Sequence, residues 1–375
     1  MHKFCLEIAT DRLQPVDCLS RNRDSFVSRL AKSGCDAVLL SHANDQDAVC
    51  VIVAAKDAET TISRAVRSAL REPQVAEVLV IDDASNDGTA EAARSADDGS
   101  DRLRVFSFEG NRGPAAARNY AIENSSAPLL AILDADDFFL SGRFERLLEG
   151  DDWDFVADNI LFIDEAKADL SEPAAPCYEA EPRTLDTVEF IEGNIAKRGV
   201  RRGEIGFLKP VMRRSFLDTH GLRYREALRL GEDYDLYTRA LLKGARYKLI
   251  HSCGYGAVVR ADSLSGSHRT IDLKNLYEAD VEMLATAGLS SPIAAALRRH
   301  MRDTKARYEL RHFLDKKASQ GLFAATIGAL RAPSSLPAIA GGIATDKLDG
   351  LVRRREADSS QAGRCLLPGR LIVQE

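Results

Sequence analysis

The stretch Leu129–Asp137, Leu-Leu-Ala-Ile-Leu-Asp-Ala-Asp-Asp, constrains the fold more than any other part of the chain. An apolar run that bursts into carboxylates reads as a buried strand ending at a site. Such strands sit mid-sheet, and ligands of open α/β sheets lie beyond the carboxyl ends of the strands. Asp134, Asp136 and Asp137 repel one another unless a proton or a cation intervenes. Oxygen ligands at a rigid strand end suit Mn²⁺ or Mg²⁺, above all where phosphate completes the shell. A solvated acidic turn is the plainer reading of an isolated Asp-x-Asp.

The flanking sequence alternates in period. Ala48–Ala55 reads as an apolar strand, and Glu59–Arg71 carries Ile62, Ala65, Val66 and Ala69 at helical spacing. Glu77–Ile81 is a second strand ending at Asp82 and Asp83. Ser85–Thr89 is turn chemistry, with Asp87 or Thr89 placed to cap a helix through Ala96. Leu103–Phe108 is a third strand. Pro114–Asn124 is a helix entered through Gly113-Pro114. Strands alternating with helices predict an α/β fold, a doubly wound, mostly parallel sheet flanked by helices.

Further on, Arg143–Leu148 reads as a helix and Asp154–Ile163 as a strand. Ala166–Arg183 reads as a surface loop and Leu185–Ile195 as a helix. A basic cluster follows at Lys197, Arg198, Arg201 and Arg202. Arg214–His220 is a helix closed by Gly221, and Asp233–Lys243 a helix followed by Gly244. Tyr247–Ile250 and Tyr255–Arg260 are late strands. Beyond Asp272 the pattern turns helical and basic, with Arg298, Arg299, Arg302, Lys305, Arg307 and Arg311 in Ala294–Phe313, then an apolar stretch Leu322–Leu330 and a basic run Arg353–Arg355.

The expected organisation is an N-terminal extension at 1–47, with a short helix at Asp24–Lys32 and a strand at Ala37–Leu40. The α/β domain spans 48–270, a helical region 271–355, and a polar, disordered tail 356–375. A formal net charge of −6 gives no support for nucleic-acid binding. The seven cysteines (5, 18, 35, 50, 177, 253 and 365) are scattered without a Cys-x-x-Cys, which argues against a disulfide framework or zinc site and for a reducing cytoplasm. The N-terminus reads as no signal peptide, and no apolar run reaches the length of a membrane span.

Five segments, taken together and in order, carry a family resemblance: Val51–Ala55; Val80–Thr89 with Asp82-Asp83; Asn111–Asn119; Leu133–Asp137; and Gly231–Tyr234 with Glu232-Asp233. Over about residues 48–260 the chain resembles the family 2 glycosyltransferases, which have the GT-A fold. Phe207-Leu208-Lys209-Pro210 followed by His220–Tyr224 looks like the subgroup that builds succinoglycan-type bacterial exopolysaccharide.

The resemblance implies transfer of a sugar, with inversion, from a nucleotide-diphosphate donor, UDP by family habit, to a saccharide acceptor that is lipid-linked. It implies Mn²⁺ or Mg²⁺ held by Asp136, with Asp134 assisting directly or through water, to offset charge on the departing diphosphate. It places Asp82 at the nucleotide base, Asp83 beside the ribose, and the Ala54 and Ala55 backbone against the base. Arg118 would orient the acidic cluster or touch the nucleotide. Asp233 matches the general base, with Glu232 beside it, and His268 would be a late metal or diphosphate ligand. Where the family usually has an aromatic residue and then Asn after the first strand, this chain has Lys56 and Asp57.

Two other classes compete. One is a non-catalytic, glycosyltransferase-like nucleotide-binding or assembly protein. The other is an Asp-x-Asp phosphohydrolase resembling the haloacid dehalogenases, which want their pair on the first strand rather than a later one. The basic, helical end reads either as a peripheral contact with the anionic inner face of a membrane or as an ordinary helical subdomain with a solvated basic face.

Overall fold

A computed structural model describes residues 45–165, 182–195, 205–259, 269–331, 333–342 and 364–367. The expected elements at Asp24–Lys32 and Ala37–Leu40, nearly all of the Ala166–Arg183 loop, and the basic cluster Lys197–Arg202 lie outside these residues. So do His268 and Arg353–Arg355.

Four parallel strands build the first half of the sheet: β1 (Val49–Ala55), β2 (Val75–Asp82), β3 (Leu103–Ser107) and β4 (Leu129–Ile132). β1 lies between β2 and β4, and its apolar run is almost wholly buried, as a strand covered on both faces requires. The crossovers carry α1 (Ile62–Leu70), α2 (Thr89–Arg94) and α3 (Pro114–Glu123). α1 buries Ile62, Ala65, Val66 and Ala69, the set its periodicity marks. α3 opens with Pro114 after Gly113 at φ +92°, and its alanines 115, 116, 117 and 121 are all buried.

The second half of the sheet is mixed. The strands are β5 (Phe138–Phe139), β6 (Phe155–Asp164), β7 (Arg183–Thr184), β8 (Val211–Arg213), β9 (Tyr247–Val259) and β10 (Arg364–Cys365). The order across the sheet is β3-β2-β1-β4-β8-β6-β9-β5. β8 is antiparallel to both neighbours, β4 and β6, whereas β6 and β9 run parallel. The sheet is thus parallel through β4, with antiparallel strands joining beyond it. The two late strands read from sequence are one continuous β9, whose register against β6 shifts between Ala157 and Ile160.

The helices of this half are α4 (Arg143–Leu147), α5 (Thr187–Gly193), α6 (Arg214–Thr219) and α7 (Glu232–Leu242). They are followed by α8 (Thr270–Leu284) and α9 (Ser291–Arg331), the latter broken at Gly321. Within the tail expected at 356–375, residues 364–367 are the described part. β10 pairs with β6, Leu366 and Leu367 are buried, and the Asn159 side chain bonds both the N–H and the carbonyl of Leu367. A buried amide needs partners, and this segment supplies them.

Candidate active site

The carboxyl ends of the parallel strands converge on one cleft of about 900 Å³. Ala54 and Ala55 end β1, Asp83 follows β2, and Asp134 and Asp136 follow β4. All five line the cleft, as the strand-end rule demands. Asp83 accepts backbone N–H bonds from Arg112 at 2.6 Å and Gly113 at 2.8 Å, so it fixes the loop that starts α3. Asp82 is buried behind it and accepts the Ser85 N–H at 3.0 Å. It closes a turn, and Asp83 forms the cleft wall. Lys56 lines the same wall, donates to the Ala84 carbonyl at 2.9 Å and pairs with Asp57 at 3.3 Å, which ties the end of β1 to the loop after β2.

Arg118 points from α3 into the cleft floor and is buried. One guanidinium nitrogen donates to Glu232 at 2.7 Å and Asp233 at 3.1 Å, and the other to Asp134 at 3.2 Å. The guanidinium also lies 5.3 Å from the centre of the Tyr224 ring. Asn119, the next residue, bonds both backbone groups of Tyr224, at 2.8 and 2.9 Å, which anchors α3 to the segment leading into α7.

Lys209 is the site residue that sequence reasoning missed. Its buried ammonium lies 2.9 Å from Asp134 and 3.0 Å from Asp233. Burial disfavours its charge, but Asp134 and Asp233 outweigh burial and raise its pKa. Burial likewise opposes the charge of Asp134, yet Lys209 and Arg118 hold its carboxyl below the usual range. Arg143, buried against Asp158 at 2.9 Å, donates to the Lys209 carbonyl at 2.6 Å and so fixes the lysine's backbone. The only signal in the sequence was the Phe207–Pro210 likeness, which named no role for the lysine.

Asp233 and Glu232 enter the first turn of α7 because Gly231 turns the chain in a left-handed conformation, φ +70°. A side chain at Gly231 would meet Leu276 of α8 at 2.8 Å. Burial raises the Glu232 pKa, with Arg118 opposing and Asp233 adding to the rise. Three carboxylates (Asp134, Glu232, Asp233) thus face two cations (Arg118, Lys209) across the floor.

The run Asp134–Asp137 divides its labour. Asp137 is buried, accepts the Tyr255 hydroxyl at 2.8 Å and the Val258 N–H at 2.9 Å, and burial followed by Asp136 and Asp134 pushes its carboxyl well above the usual range. Tyr255 in turn accepts the Asp134 N–H at 3.2 Å. Both Asp134 oxygens are engaged by cations. Asp136 is half-buried in the cleft, its backbone carbonyl held by Arg64 at 3.0 Å. Among the described residues no three His, Cys, Asp or Glu side chains form a metal cage. That donor set still suits Mg²⁺ or Mn²⁺, which take one or two carboxylates and complete their shell with phosphate and water.

The helical C-terminal region completes the cleft through Asp272 and Leu276 of α8 and His300 and Arg307 of α9. His300 is 5% exposed, and its Nδ1 lies 2.7 Å from Asp280, which also accepts the Tyr234 hydroxyl at 3.0 Å. The His300 and Tyr234 rings stack with centroids 4.1 Å apart. Tyr234 follows Asp233 in α7, so α8 and α9 brace the end of the helix that carries the acids.

A family model described as glycosyl transferase family 2 matches residues 50–218. The Succinoglycan biosynthesis protein ExoU of Rhizobium meliloti (strain 1021) is 63% identical over 301 residues, 80% of this chain and 88% of that protein. The Succinoglycan biosynthesis protein ExoO of the same strain is 33% identical, over 71% of this chain and 75% of that protein. Among solved structures, S. aureus TarS 1-349 in complex with UDP-GlcNAc shares the fold, with a TM-score of 0.52 at 18% identity, covering 72% of this chain and 74% of that one.

Proposed function

Because the chain belongs to glycosyl transferase family 2, we propose that it transfers a sugar, with inversion, from a UDP-sugar to a lipid-linked saccharide acceptor in the synthesis of a bacterial exopolysaccharide. The observation that carries this reading is the floor of the cleft, where Arg118 and Lys209 clasp Asp134 and Asp233 together. The cleft volume of about 900 Å³ is in the range that encloses a ligand the size of a nucleotide-sugar. The relatives named for succinoglycan biosynthesis support the exopolysaccharide assignment, and TarS, solved with UDP-GlcNAc, is consistent with a uridine donor.

In this reading the Ala54 and Ala55 backbone serves the base and Asp83 the ribose, while Asp82, expected at the base, holds the turn behind them. A Mn²⁺ or Mg²⁺ ion held by Asp136 and the donor's diphosphate would offset the negative charge that grows on the leaving group. Asp233 takes the proton of the acceptor hydroxyl as its oxygen bonds to the anomeric carbon. The bond from that carbon to the diphosphate oxygen breaks on the opposite face, which inverts the centre. Arg118 and Lys209 hold the Asp233 carboxylate in a fixed orientation, so no reorganisation is needed as the proton moves.

The test is UDP release. The purified chain is incubated with single UDP-sugars, Mn²⁺ and lipid-linked oligosaccharide extracted from an exopolysaccharide-producing bacterium. Release that needs both sugar donor and acceptor, and that falls away in Asp233→Asn, supports the reading. Nucleotide binding without acceptor-dependent release under any donor overturns it in favour of a binding protein.

A further inference from the structure

We propose that the helical segment following Gly321 docks onto an anionic lipid bilayer. Gly321 breaks α9 with φ +82°, and residues 322–331 form a separate helical stretch beyond it. A helix that packs in water turns its large apolar residues inward. Here the arrangement is reversed. Ala325 and Ala329, one turn apart, are buried, while Leu322, Phe323 and Leu330 are 60%, 81% and 61% exposed, with Ile327 exposed between them. Clustered exposure of this kind marks an interaction surface rather than the scattered apolar residues of an ordinary exterior.

The charges around it identify the partner. From Lys316 to Arg331 the chain carries Lys316, Lys317 and Arg331 and no carboxylate. The Lys316 ammonium would lie 2.6 Å from a Cβ built at Gly328, on the face of the segment turned away from Phe323, Ile327 and Leu330, so it packs the segment against the preceding helix. Lys317 and Arg331 are exposed. Lys317 and Arg331, at the two ends of the segment and without an ion pair among the described residues, together with the large exposed apolar side chains suit a headgroup layer of anionic lipid, where the chains enter the acyl boundary and the cations meet phosphate. Among the described residues no helix is long and apolar enough to cross a membrane, so the contact is with the surface. The proposal goes beyond sugar transfer and does not depend on which donor the cleft holds.

The test is flotation of the full chain with vesicles of phosphatidylcholine containing phosphatidylglycerol, against vesicles of phosphatidylcholine alone. Binding is expected to the anionic vesicles at low salt and to weaken at high salt. Phe323→Asp with Leu330→Asp should reduce it about tenfold or more, and the milder pair Phe323→Ser with Leu330→Ser should reduce it in the same direction. Both sites are exposed, so thermal unfolding should match the parent chain. Absence of binding to anionic vesicles at low salt overturns the proposal, as does binding that both double variants retain. A concentration-dependent dimer without vesicles, lost in the variants and unaccompanied by vesicle binding, would assign the surface to a second copy of the chain and equally overturn it.

Discussion

Asp134 and Asp233 share both of their cations: Arg118 donates to Oδ1 of each, at 3.2 and 3.1 Å, and Lys209 to Oδ2 of each, at 2.9 and 3.0 Å. The end of β4 and the start of α7 are thereby joined through two charges delivered from α3 and from the loop before β8. Removing Lys209 leaves three buried or half-buried carboxylates, Asp134, Glu232 and Asp233, facing one guanidinium. Lys209→Met should therefore destabilise the chain by about 2–3 kcal/mol. That is below the ~3–5 of a fully buried pair, because the Asp134 side chain is 35% exposed. Urea unfolding of the variant against the parent measures it.

Asp233 is assigned the proton-accepting role, and a neutral amide of the same shape separates that role from architecture. Asp233→Asn should lower turnover by about 10²–10⁴-fold while nucleotide affinity stays at the parent level. Steady-state UDP release combined with nucleotide titration reads both. Loss of nucleotide binding instead would make Asp233 a positioning residue.

Acid should weaken the clasp in a defined window. The Asp134 carboxyl sits below its ordinary value of 3.8 because Lys209 and Arg118 overcome burial. A carboxyl whose folded pKa is depressed contributes stability that is complete above its unfolded value and is lost as pH falls through the folded one. The stability gap between the parent and Asp134→Asn should be constant above about pH 5 and shrink below about pH 4. Urea midpoints across that range check it, and a gap that persists unchanged into acid contradicts the pairing.

Gly231→Ala should cost more than its size suggests. The residue has φ +70°, and its added Cβ would meet Leu276 at 2.8 Å. A left-handed alanine alone costs about 1–2 kcal/mol, and the contact with α8 adds to it. Thermal unfolding should show the loss. Activity should fall with it, because Glu232 and Asp233 follow directly.

The parallel half of the fold was legible because each element there announces itself. β1 and β4 are unbroken apolar runs, and α3 begins at Gly113-Pro114. β8 and β5 were not read, since strands of three and two residues are too short for any periodicity to register. Tyr247–Ile250 and Tyr255–Arg260 read as two strands, whereas the residues between them meet β6 at a register shift rather than a break. In the site, the acids at strand ends were visible as motifs. Their partners were not. Lys209 lies in a loop, and its pairing with Asp134 and Asp233 exists only once β8 is inserted beside β4. The brace from Tyr234 through Asp280 to His300 likewise depends on the packing of α7, α8 and α9. Glu232-Asp233 alone gave no hint of it.

The central claim is a nucleotide–metal site whose cleft-facing acid is Asp136. Calorimetric titration of UDP into the chain, with and without Mn²⁺, and into Asp136→Ala, tests it most directly. The account predicts binding that requires Mn²⁺ and is lost in the variant. Binding of equal strength without the metal, or undiminished in Asp136→Ala, would contradict it.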